Sequence, residues 1–127
     1  MQLARSYFVA QSIAIVAWWM LLWLRPDCRA PFWPEGRGDT LLLVFGLPDL
    51  LVAAGGSALS AVLLWRASTQ APLALFFTAG AMVYATLYCV AMLFVAPETW
   101  LATTLMIPAA AATTILAWML RCPTEPS

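Results

Sequence analysis

Thr40-Leu41-Leu42-Leu43-Val44-Phe45-Gly46-Leu47-Pro48-Asp49-Leu50-Leu51-Val52-Ala53-Ala54 decides how this chain is read. Apart from Asp49 and the hydroxyl of Thr40, every side chain in it is compatible with hydrocarbon. A carboxylate at the centre of a membrane helix costs about 2.5–3.5 kcal/mol on insertion scales, so it persists with a partner, a cavity or a task. Asp49 is therefore the first candidate for a functional residue.

The rest of the chain sets the medium. Apolar residues make up 64% of the 127 positions and charged residues 9%, against about 45–50% and 25% in soluble domains. Mean hydropathy is +0.88. These values imply an all-α integral membrane protein forming a single domain over residues 1–127.

A membrane helix needs about 20 mostly apolar residues, and four stretches meet that length: 7–24, 41–65, 73–96 and 100–120. Arg25-Pro26-Asp27, the segment 66–72 and Ala96-Pro97-Glu98 separate them, with proline where a helix cannot continue. The expected fold is four transmembrane helices in an up-down bundle with a long first loop rich in Pro, Arg and aromatics. The apolar run after Arg5 is longer than a signal-peptide core, so it reads as a retained first span. Trp18, Trp19, Trp23, Trp65, Trp100 and Trp118 fall near span ends, where indole rings favour the headgroup region.

Charge excludes several functions. Six Arg balance six acids, Lys and His are absent, and no polybasic run exists to hold nucleic acid or anionic lipid. Cys28, Cys89 and Cys122 form no Cys-x-x-Cys pair. No cofactor or metal is expected, and no nucleophile–base pairing points to a reaction. Arg5, Arg66 and Arg121 lie on one side of the spans and Arg25, Arg29 and Arg37 on the other, so the arginine count is tied. The expectation is a plasma or inner membrane location with both termini cytoplasmic.

Counting 1.5 Å per residue gives depth. Asp49 lies about 13 Å from the first-loop end of its span. Tyr88, Cys89 and Pro108 fall at a similar level, with Tyr84, Thr103 and Thr104 a turn away. Pro48 and Pro108 free backbone carbonyls that need partners or water. These residues predict an intramembrane polar cavity around Asp49, open to the first-loop side. Arg25, Arg29, Arg37 and Trp33 are placed over it to meet a headgroup. The candidate ligand-binding residues are thus Asp49, Tyr84, Tyr88, Thr103, Thr104, Arg25, Arg29, Arg37 and Trp33.

Small residues predict close helix contacts: Gly55-Gly56-Ser57 with Ser60, Ala79-Gly80-Ala81, and the run 109–114. Leu21 to Asp27 is echoed by Met92 to Glu98, each followed by a span with one proline, as two duplicated hairpins would give. Asp49 then corresponds to Ala109.

Three functions suit these features. The first is binding, or processing, of a lipid or hydrophobic small molecule at Asp49. The second is small proton-coupled transport using the same acid. Four short spans match the size class of small multidrug-resistance transporters, but those carry their essential Glu in the first span and 7–24 holds no acid. The third is an accessory or assembly subunit, with a homo-oligomer or a larger membrane protein as partner.

Overall fold

The structure, a computed structural model, describes residues 1–34, 36 and 38–121. All regular structure among them is helical: α1 (Gln2–Leu24), α2 (Asp39–Asp49), α3 (Gly55–Trp65), α4 (Ala71–Val95) and α5 (Trp100–Met119). A π turn, Leu50–Ala54, joins α2 to α3, so Asp39–Trp65 is one continuous helical stretch. Four helical stretches are long and apolar enough to cross a membrane. Their limits lie within a few residues of the expected ones, except that the first span begins five residues earlier.

The π turn begins just after Pro48. Proline has no N–H to return to the carbonyl four residues back, and its ring crowds that carbonyl. In the widened turn the Gly55 N–H reaches Leu50 O, five residues back. Pro108 behaves differently: α5 runs through it as regular helix.

The sequence echo has a geometric counterpart. Arg25 and Ala96 each end a helix with similar backbone angles (φ −128, ψ 81 and φ −141, ψ 78), and each precedes a proline that opens a 3-10 turn, Pro26–Cys28 and Pro97–Thr99. Steric pressure from the proline ring drives the preceding residue out of the helical region.

Small residues bring α3 and α4 together. Ser60 and Thr78, both fully buried, share a hydrogen bond of 3.0 Å, and a Cβ on Gly56 would lie 2.9 Å from the Thr78 hydroxyl. Close approach of this kind supplies helix association where lipid removes the hydrophobic drive. Around this seam Phe8, Ala61, Leu64, Leu75, Ala79 and Ala117 form a core joining α1, α3, α4 and α5. Gly55 and Gly80 stand exposed, outside it.

A second cluster lies near the first loop, where Trp19, Leu22 and Leu42 pack with Phe32, Trp33 and Phe45. Trp18 meets Phe32 edge-on at 4.2 Å, and Trp33 lies 5.9 Å from Phe45. The loop thereby folds onto the helices. Arg29 fastens it, donating to Leu22 O (2.6 Å) and pairing with Asp39 (2.6 Å).

Candidate functional site

Asp49 ends α2 and is half-buried. The Trp19 indole N–H donates to its Oδ2 at 2.6 Å. Gly46 makes this possible: a Cβ there would sit 2.7 Å from the Trp19 ring and 2.9 Å from Trp23. The missing side chain lets α1 and its two indoles approach the turn that carries Asp49. Among the described residues, Trp19 is the one hydrogen-bond donor to this carboxylate.

Beside this pair lies a cleft of about 1000 Å³ between α1, α2, α4 and α5. Its walls are chiefly apolar, including Ile15, Leu22, Phe45, Met82 and Met106, with Asp49, Tyr88, Cys89 and Gln11 among the polar lining groups. Phe32 and Trp33 from the loop line the first-loop end. Lining residues that remain exposed, Ala14 and Pro108 on α1 and α5, and Pro48 and Tyr84 on α2 and α4, mark its sides. A smaller cavity of about 340 Å³ adjoins it, sharing Trp33, Phe45, Tyr88 and Met92 and reaching Glu98.

Polar contacts cross the far end. Tyr7 donates to Ala109 O (3.0 Å), and its hydroxyl lies 2.9 Å from Thr113 Oγ1. Thr113 in turn donates to Gln11 Oε1 (2.9 Å). These bonds tie the first half of α1 to the second half of α5. Nearer the middle, Ser12 donates to Ala54 O at the end of the π turn (3.0 Å).

The candidate residues are placed unequally. Asp49, Tyr88 and Trp33 line the cleft, together with Cys89 and Pro108 from the same depth. Tyr84 reaches only its edge and is 74% exposed. Thr103 is buried but spends its hydroxyl on Cys89 O (3.0 Å), joining α5 to α4. Thr104 faces outwards and bonds Trp100 O of its own helix. Arg29 is occupied by the end of α1 and by Asp39, whereas Arg25 is exposed. Arg37 lies outside the described residues, as does Cys122.

Two residues gain roles that their positions in sequence conceal. Trp19 lies near a span end and reads as an interface anchor, yet it is 7% exposed and bonded to Asp49. It shares a face with Gln11, Ile15 and Leu22 at helical spacing, but that face is largely apolar like the rest of the helix and does not stand out in sequence. Gln11 was visible only as a polar residue in an apolar span. Trp65, Trp100 and Trp118, by contrast, stand exposed near helix ends.

The chain matches no protein-family model, no curated protein and no solved structure.

Proposed function

We propose that the four helices span a membrane in up-down order and hold a lipid or hydrophobic small molecule in the cleft beside Asp49. The observation that carries this reading is the cleft itself, about 1000 Å³ and mostly apolar, with a buried indole fixing a carboxylate in its wall. Ligand pockets have this character: apolar walls, a few placed polar groups and about 300–1,000 Å³ of space. Trp19 orients one carboxylate oxygen, leaving the other to accept a hydroxyl or amine from the guest. An apolar guest gains little from leaving lipid, so its selection rests on this polar contact.

Entry is sideways, past Ala14 and Pro108, because Phe32 and Trp33 cover the loop end. Arg25, which has no ion-pair partner among the described residues, is placed to meet an anionic headgroup.

The test is to purify the protein in mild detergent, extract it with organic solvent and identify retained molecules by mass spectrometry. Wild type is expected to carry a defined apolar molecule near one per chain. Ala14→Trp, which fills the cleft from an exposed position, should lose most of it, and Asp49→Asn should weaken or change the selection. Equal retention by wild type and Ala14→Trp sinks the proposal.

A further inference from the structure

Gln11 is more than nine-tenths buried and lines the cleft, and its amide is half-satisfied. Oε1 accepts from Thr113, but Nε2 has no partner among the described residues. The local supply of acceptors explains why. Tyr7 donates to Ala109 O, and Thr113 lies within reach of both Ala109 O (2.7 Å) and Gln11 Oε1. The two hydroxyl protons thus serve carbonyl oxygens, and Thr113 Oγ1 sits against Oε1 of the amide, away from its nitrogen. An amide left unpaired in hydrocarbon is costly, so this nitrogen marks a place where the cleft's occupant supplies an acceptor.

Its position adds a distance. Gln11 precedes Trp19 by eight residues on one helix, which separates the two polar points by about 12 Å along the axis. Asp49, held by Trp19, requires a donor; Gln11 Nε2 requires an acceptor. Ile15, Ala14 and Trp18 line the stretch between them, and it is apolar.

Building on the proposed function, we infer that the cleft selects an elongated apolar molecule with a hydroxyl or amine at the Asp49 end and an ester or ketone oxygen some 12 Å away, at Gln11. A plain hydrocarbon chain meets neither point. A molecule with one polar end meets only one.

The probes are the methyl ester of a medium-chain ω-hydroxy fatty acid whose extended length matches that spacing, the matching fatty alcohol without the ester, and the matching methyl ester without the hydroxyl. Binding to the full chain in micelles is read by native mass spectrometry. Wild type is expected to hold the hydroxy-ester on the order of tenfold more tightly than the alcohol, the effect of satisfying one buried donor. In Gln11→Met, of similar shape, the preference for the hydroxy-ester over the alcohol should vanish. The comparison within wild type decides the matter even if the variant folds poorly. Equal binding of hydroxy-ester and alcohol to wild type overturns the inference, water then being the amide's partner, and leaves the proposed function standing. If none of the three probes binds, the proposed function falls and the inference with it.

Discussion

Trp19 Nε1 and Asp49 Oδ2 lie 2.6 Å apart, thirty positions removed in sequence, and their bond fixes α1 against the end of α2. A hydrogen bond to a charged group contributes about 1.5–3 kcal/mol in soluble proteins. Couplings between neutral polar groups measured in a membrane protein average about 0.6 kcal/mol and reach about 1.7. Trp19→Phe removes the donor and keeps most of the ring. It should destabilise the wild type and do much less in an Asp49→Ala background, giving a coupling of roughly 1–2 kcal/mol in a double-mutant cycle. Reversible unfolding in detergent measures it; strict additivity would show the two side chains to be energetically independent.

Two glycines should respond oppositely to alanine. Both lie in helix interiors, where Gly→Ala ordinarily gains up to about 1 kcal/mol. At Gly80 nothing lies within 4 Å of an added Cβ, so Gly80→Ala is expected to be neutral or to gain that amount. At Gly46 the methyl group would meet Trp19 at 2.7 Å. Gly46→Ala should therefore lose about 1–3 kcal/mol through overpacking. It should also shift the tryptophan emission, because Trp19 has to leave Asp49. Thermal unfolding with fluorescence detection checks both signs at once.

Arg29 separates helix capping from surface pairing. Its guanidinium holds Leu22 O and Trp23 O at the end of α1, where unpaired carbonyls accumulate. Its ion pair is with an Asp39 side chain that is 81% exposed, a setting in which pairs contribute about 0–1 kcal/mol. Arg29→Met should accordingly cost more stability than Asp39→Asn, and added salt should leave the difference largely intact. Equal losses that salt abolishes would mean that the ion pair, not the helix end, is what Arg29 supports.

Ala67 adopts φ 47 just after α3, in the position that glycine usually fills. Its N–H reaches Leu64 O and that of Ser68 reaches Leu63 O, the paired bonds of a helix C-terminus closed by a left-handed residue. A left-handed conformation costs an L-residue roughly 1–2 kcal/mol. Ala67→Gly should raise the unfolding free energy by about 1 kcal/mol, and an unchanged or lowered midpoint would argue against this conformation at the turn.

Helix lengths and breaks were legible in the sequence because hydrocarbon tolerates few polar residues and proline ends helices. A fixed rise per residue grouped Asp49, Tyr88, Cys89 and Pro108, and all four line the cleft. Which face each residue presents was not legible. A helix facing lipid on one side and protein on the other is apolar all round, so the periodicity that orients a soluble helix fades. Depth alone therefore grouped Thr104 and Tyr84 with Asp49, although one turns outwards and the other only borders the cleft. The same ambiguity hid Trp19. The π turn was also out of reach, since Pro48 and Pro108 look alike in sequence and only one of them is followed by a widened turn.

The most direct test of the central claim is whether Trp19 touches an apolar guest. With perdeuterated protein in nanodiscs of protonated lipid, nuclear Overhauser contacts from the Trp19 indole N–H report what fills the cleft beside Asp49. The account predicts cross-peaks from that proton to chain methylenes, lost in Ala14→Trp, where the cleft is filled. Contacts to water and protein alone, with chain methylenes seen only from outward residues such as Trp65 and Trp118, would contradict it.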